Sequence, residues 1–243
     1  MKKWKTKTGY EISQVLSGRS NSFFITTGSY NILIDTGTER EYERLQSNIN
    51  SLELTNRKID FLILTHTHFD HCRNAAKIKE EENCRIIVGI KEKESIEKGF
   101  TNLPAGTLFI TKPISLLGNL IGKKRFGYRP FFADVPVEDE LDLINYNLNI
   151  KLISTEGHSP GSISIIVDNE IAVVGDAMFG VFKNSVFLPY ADNPAGMINS
   201  WKKLLDTGCG IFLPGHGNGI KRERLQKEYG KYKSRYTGKI KFK

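Results

Sequence analysis

Three of the five histidines in this 243-residue chain crowd into Thr65-His66-Thr67-His68-Phe69-Asp70-His71, directly behind the apolar run Ile59–Leu64. That run is nearly unbroken and reads as a buried strand. His66 and His68 lie two apart, so on an extended segment their side chains point the same way. Asp70 and His71 fall where the chain turns into the next helix and address a second point in space. The other two histidines sit in Glu156-Gly157-His158-Ser159-Pro160-Gly161 and Pro214-Gly215-His216-Gly217. No histidine remains for an ordinary surface or core role. With Asp176 in Val174-Gly175-Asp176, each further candidate ligand follows a strand signal, and the neighbouring glycines permit sharp backbone turns and close approach. Only a fold that brings several strand ends to one rim gathers these residues, so metal chemistry and sheet architecture are read together.

The rest of the chain supports layered sheets. Ser22–Thr27 and Asn31–Asp35 flank Gly28-Ser29-Tyr30 as a hairpin. Glu39–Leu52 carries Tyr42, Leu45, Ile49 and Leu52 on one helical stripe. Asp70–Asn83 reads as a single helix with Ala75, Ala76 and Ile78 inward, and Arg85–Val88 as the next strand. In the second half Ile150–Ser154, Ser162–Val167 and Ile171–Val174 read as consecutive strands, the last two joined by Asp168-Asn169-Glu170. Asn193 or Asp192 caps a helix with Pro194 in its first turn and Met197, Ile198, Trp201, Leu204 and Leu205 buried. Ile211–Leu213 is a short strand before His216. Two strand-rich halves with amphipathic helices predict an α/β fold of two packed β-sheets with helices outside. A single domain over 1–243 is expected, with an irregular excursion at about 99–140 over the rim of the site.

Charge is distributed unevenly. The net +8 lies within 221–243, where ten Lys/Arg meet only Glu223 and Glu228, so the first 220 residues are neutral overall. A solvated helix end is the favoured reading of this basic segment; attraction of nucleic acid, anionic lipid or an acidic substrate is the other. Cys72, Cys84 and Cys209 are odd in number and lack CxxC spacing, which fits a reducing compartment. No signal-peptide pattern and no apolar run approaching about 18 residues is present. A cytoplasmic location without a membrane span is therefore the expectation. Oligomeric state is not legible.

The HxHxDH segment, followed in order by GHSPG, GD and PGHG, resembles the metallo-β-lactamase superfamily from about Val15 to Gly219. This resemblance implies an αββα sandwich and a metal-dependent hydrolase. It implies His66, His68 and His158 on one metal, Asp70, His71 and His216 on a second, and Asp176 bridging both. It also singles out Asp35, in Ile34-Asp35-Thr36-Gly37, as a support that orients a ligand histidine from behind. Two divalent ions about 3.5–4 Å apart can share a water and lower its pKa toward about 7, so no Ser or Cys nucleophile is needed. Asp70 is the candidate catalytic residue, orienting that water or passing on its proton. Zinc is the leading metal, with Mn or Fe as alternatives.

The substrate reading narrows by departures from relatives. A bridging aspartate argues against a true β-lactamase. The short stretch after His216 argues against the helical substrate domain of glyoxalase II proper. Phe179 stands where lactonase relatives carry Tyr. A small-molecule ester, thioester or lactone is the favoured substrate. The alternatives are a phosphodiesterase or nuclease of the same fold and a mononuclear iron oxidoreductase using His66, His158 and Asp176; a non-catalytic metal module ranks last. Tyr190, Phe187 and Lys183 are candidate pocket residues, and Tyr128 and Arg129 candidate contacts for an anionic substrate group.

Overall fold

Burial on both faces of the central strands explains the architecture. In the structure, a computed structural model that describes residues 1–54 and 56–237, the apolar runs become strands whose two faces enter different cores. Along the chain come strands β1 (Lys3–Lys5), β2 (Glu11–Leu16), β3 (Ser22–Thr26) and β4 (Asn31–Ile34), helix α1 (Tyr42–Asn50), strand β5 (Phe61–Leu64), helices α2 (Phe69–Cys72) and α3 (Ala75–Glu82), and strand β6 (Arg85–Gly89). Helices α4 (Lys93–Lys98), α5 (Thr111–Ile121) and α6 (Lys123–Phe126) precede strands β7 (Val135–Val137), β8 (Glu140–Asp142), β9 (Ile150–Ser154), β10 (Ile163–Val167) and β11 (Ile171–Gly175). Helix α7 (Pro194–Asp206), strands β12 (Ile211–Pro214) and β13 (Ile220–Lys221) and helix α8 (Arg222–Thr237) complete the described chain.

The first sheet runs β1 to β7 in sequence order, and the second runs β13-β12-β11-β10-β9-β8. The β3–β4 hairpin is antiparallel, whereas β4, β5 and β6 are parallel neighbours. Phe61 and Ile63 of β5 face Ile163, Ile165 and Val173 of the opposite sheet in a central core. Leu62 and Leu64, one residue out of phase, pack instead with Leu45 and Ile49 of α1 and Ala75 and Ile78 of α3. On the far side Ala172 and Val174 meet Met197, Trp201 and Leu204 of α7. A period of two thus sorts each strand between a sheet–sheet core and a sheet–helix core. The expected αββα sandwich is the fold observed.

Two expectations need correction. The helix read over 70–83 is broken into α2 and α3 at Arg73 and Asn74. Asn74 starts α3, its carbonyl accepting from the Ile78 amide, but its donors leave the helix: its Nδ2 donates to the carbonyls of Thr36 and Thr38, and its backbone N donates to Thr36 Oγ1. These bonds tie the ligand segment to the loop after β4. The 99–140 excursion is also less irregular than expected, because it holds the eleven-residue α5. No helix among the described residues is long and apolar enough to cross a membrane. Of the basic C-terminal segment, Lys239, Lys241 and Lys243 lie outside the described residues.

Candidate metal centre

The seven candidate residues converge, as the strand-end placement requires. Three overlapping groups each keep their ligand atoms within 4.8 Å of one another: His66, His68 and His158; His66, His71 and Asp176; and Asp70, His71 and His216. His66 and His68 leave β5, Asp70 and His71 occupy α2, and Asp176 follows β11. His158 and His216 are carried by the loops after β9 and β12. Asp176 lies between the groups, with Oδ2 at 3.5 Å from His158 Nε2 and 3.2 Å from His216 Nε2. Its Oδ1 is 3.6 Å from His71 Nε2.

Outer hydrogen bonds set which ring nitrogen faces inward. His71 Nδ1 donates to Asp35 Oδ2 at 2.9 Å, and His158 Nδ1 donates to the Tyr190 carbonyl at 3.0 Å. His68 reverses the assignment, its Nε2 donating to the Asn102 carbonyl at 3.0 Å. Thr65 Oγ1 donates to Asp35 Oδ2 and can therefore accept from His66 Nδ1 at 3.1 Å. Asp35 thus orients His71 directly and His66 through Thr65. Carboxylates and carbonyls only accept, so each of these rings, when neutral, turns a lone pair inward.

Those lone pairs have no ordinary partners. His158 Nε2 and His68 Nδ1 face each other at 2.9 Å, and His71 Nε2 faces His216 Nε2 at 3.3 Å. His66 Nε2 and Asp176 Oδ1 are buried without a hydrogen-bond partner among the described residues. Buried acceptors that converge in this way are costly unless a cation lies among them. The donor set of imidazoles and carboxylates fits a divalent metal.

The electrostatics divide the rings into two kinds. Burial, followed by the neighbouring imidazoles, holds His66 and His68 well below the usual histidine pKa, in the neutral ligand form. Burial also acts to lower His71, but Asp176 and Asp35 outweigh it and lift the pKa to about 10. His216 is raised too, with Asp176 overcoming burial. Burial opposes ionisation of Asp176, yet His216, His71 and His158 hold its carboxyl well below the usual range.

The centre opens into a cavity of about 410 Å³. His68, Asp70, His158, Asp176 and His216 form its floor, and Leu103, Pro104, Ile114, Phe126 and Leu188 form an apolar wall. Phe179 also lines it, with its ring centroid 5.6 Å from that of His216. Of the expected pocket residues, Tyr190 lines the cavity. Phe187 instead stacks on Tyr232 in the α7–α8 core, and Lys183 is exposed away from the lining. Tyr128 and Arg129 do not reach it either: Tyr128 is buried on Thr101 Oγ1, and Arg129 pairs with Glu80. The cation at the mouth is Arg19, whose Nε lies 3.7 Å from Asp70 Oδ2.

Arg19 escaped the sequence reading, and so did Glu92. Glu92 is buried and accepts from Ser159 Oγ, from the Gly161 amide at 3.1 Å and from Thr67 Oγ1. One carboxylate therefore joins the His66–His68 segment to the His158 loop. Within Lys91-Glu92-Lys93-Glu94 nothing separates it from its solvated neighbours; the hydroxyls at Thr67 and Ser159 were the signal available. Cys72 is buried, with Sγ 3.2 Å from the Thr67 carbonyl, and belongs to none of the three groups.

A sequence profile described as the metallo-beta-lactamase superfamily matches residues 17–216. The chain is 30% identical over 204 residues to a protein of Methanocaldococcus jannaschii named as a probable metallo-hydrolase, covering 82% of this chain and 89% of that one. It is 28% identical over 215 residues to the hydroxyacylglutathione hydrolase GloC of Haemophilus influenzae, covering 86% and 90%. Its fold resembles that of a Cronobacter sakazakii metallo-beta-lactamase with a HARLDQ motif, at a TM-score of 0.63 and 16% identity, covering 99% and 94%.

Proposed function

Because the chain belongs to the metallo-beta-lactamase superfamily, and because its inward-facing imidazoles and carboxylates fit divalent metal, we propose that it is a metal-dependent hydrolase of a small-molecule thioester, ester or lactone. The convergence of unpartnered lone pairs on Asp176 carries this reading. In it, His66, His68 and His158 would hold one ion and Asp70, His71 and His216 a second, with Asp176 within reach of both groups. Zinc is the leading occupant. When bound, such ions supply Lewis acidity and a water whose pKa falls toward about 7.

The protein's own groups do the rest. Asp70, 3.7 Å from Arg19 Nε, would orient the attacking water and accept or relay its proton. Asp35 keeps His71 and His66 in the tautomers that offer lone pairs inward. The wall of Leu103, Ile114, Phe126 and Leu188 receives the apolar part of an acyl substrate and excludes bulk water. The Haemophilus relative is named as a hydroxyacylglutathione hydrolase, which supports reading a thioester first among the three carbonyl classes. Phe179, beside the His216 ring, supplies no hydroxyl at that position.

The test uses protein with quantified metal against a panel of thioesters, esters, lactones and a phosphodiester. Carbonyl substrates should turn over, and Asp176→Asn and His68→Ala should each lower the rate by more than about a hundredfold while releasing metal. Changes behind metal ligands typically cost about 10–100-fold, so ligand losses should exceed that. Hydrolysis of the phosphodiester alone, or full activity and metal in both variants, refutes the assignment.

A further inference from the structure

Helix α5 is inside out. Its buried positions are Thr111, Ser115 and Gly118, a stripe at helical spacing. Ser115 Oγ donates to the Pro104 carbonyl at 2.7 Å, and Thr111 Oγ1 donates to that of Pro189 at 2.8 Å. Asn119 brackets Leu103, accepting from its amide at 2.7 Å and donating to its carbonyl at 3.0 Å. The helix is therefore docked by hydrogen bonds through its small and polar face.

The apolar face points outward. Of the fourteen large apolar side chains exposed among the described residues, eight fall between Leu108 and Ile121. Phe109 is 94% and Leu120 77% exposed. Large apolar patches on soluble surfaces mark interaction sites. Ile114, on this face, also lines the cavity of the metal centre, so the ridge begins at the mouth of the site.

Charge identifies the occupant. From Lys98 to Ala133 there is no Asp or Glu, but six Lys/Arg. Lys112, Lys124 and Arg125 are exposed and have no carboxylate partner among the described residues. Apolar residues flanked by cations match an anionic lipid surface, into which apolar side chains insert while Lys and Arg meet headgroups. A second copy of the chain fits poorly, because a two-fold contact on this face would oppose the same cations. At eleven residues, about 16 Å, the helix can lie on a bilayer but not span one.

We propose that α5 docks the protein flat on an anionic lipid surface and turns the cavity mouth toward it. Combined with the hydrolase reading, on which this one point rests, the docking favours acyl substrates that partition into lipid. Docking itself is independent of turnover.

The full chain is sedimented with vesicles of phosphatidylcholine, alone or mixed with phosphatidylglycerol. It should pellet with the mixed vesicles at low salt and be released by high salt. Leu116→Ser with Leu120→Ser, and separately Lys124→Glu with Arg125→Glu, should each weaken binding by about tenfold or more. Both pairs leave the hydrogen-bonded face intact, which unchanged circular dichroism would verify. No pelleting with anionic vesicles overturns the proposal. So does binding that survives both variants, which would move it to another basic surface such as α8. A solution dimer that the serine variant dissociates also overturns it, by assigning the face to a second copy. Because the assay reads binding alone, a failure of the hydrolase assignment leaves it standing and is recognised separately.

Discussion

At Gly215 a single methyl group separates a working centre from a blocked one. A Cβ there would lie 2.3 Å from Asp176 Oδ1 and 2.6 Å from His71 Cε1. The His71 ring is fixed by its bond to Asp35, and Asp176 is buried among the other candidate ligands, so neither can withdraw freely. Gly215→Ala should therefore lower metal content and activity together while leaving the far-UV spectrum unchanged; normal metal content in folded G215A would contradict the packing described. Gly175 is equally confined: its φ is +48°, and a Cβ would meet Thr65 Oγ1 at 2.4 Å. Protons at this scale compete with metal. His71, lifted to about 10, carries a proton at neutral pH in the metal-free protein, whereas a ligand imidazole must be neutral. Metal binding should thus release protons and tighten as pH rises through neutrality, which calorimetry in buffers of differing ionisation enthalpy will detect. Binding without proton release would place the pKa of His71 elsewhere.

Among the elements, α7 holds Asp176 in place from behind. Trp201 is fully buried, and its Nε1 donates to the Ala177 carbonyl at 2.6 Å. Asn193 caps the same helix, accepting from the Gly196 amide at 2.9 Å. Trp201→Phe keeps most of the apolar volume but leaves that carbonyl unpaired, at a cost of about 1–3 kcal/mol. Urea unfolding should show this loss, with a smaller drop in metal affinity because the residue adjoins Asp176. No change in the midpoint would mean that water replaces the indole. The break between α2 and α3 belongs to this scale as well. Periodicity supported one helix over 70–83, but the side chain of Asn74 bonds the loop after β4, a long-range contact that no local pattern encodes.

For the molecule as a whole, metal and folding are linked. The ligands come from both sheets, so ions that bind only the native state stabilise the entire sandwich. At about 100 times Kd this amounts to about 2.7 kcal/mol, or a rise in Tm of roughly 5–10 °C for a chain of this size. Chelation should reverse it, and a Tm indifferent to metal would argue against a native-state site. In the metal-free protein the raised pKa of His71 has a definite sign. Its stabilisation is complete below about 6.5, the unfolded value, and fades as pH climbs through about 10. The chelated form should therefore lose stability over that window.

Local chemistry made the donors legible. A histidine pair at strand spacing, an aspartate and histidine at the following turn, and glycines beside the remaining ligands are properties of neighbours in sequence, and they marked all seven convergent residues. The nearly unbroken apolar run Ile59–Leu64 likewise announced a buried strand, and two strand-rich halves with amphipathic helices announced two packed sheets. What lay beyond reach depended on distance through space. Glu92 matters because it is buried between the loops of Thr67 and Ser159, and Arg19 because it stands over Asp70. Tyr128 and Arg129 turned away from the cavity because Thr101 and Glu80 engage them. Helix α5 shows the division most sharply: its composition suggests a core helix, yet hydrogen bonds from Thr111, Ser115 and Asn119 dock the polar face and leave the leucines outside. Which face of an element is buried is settled by the partners that folding brings to it.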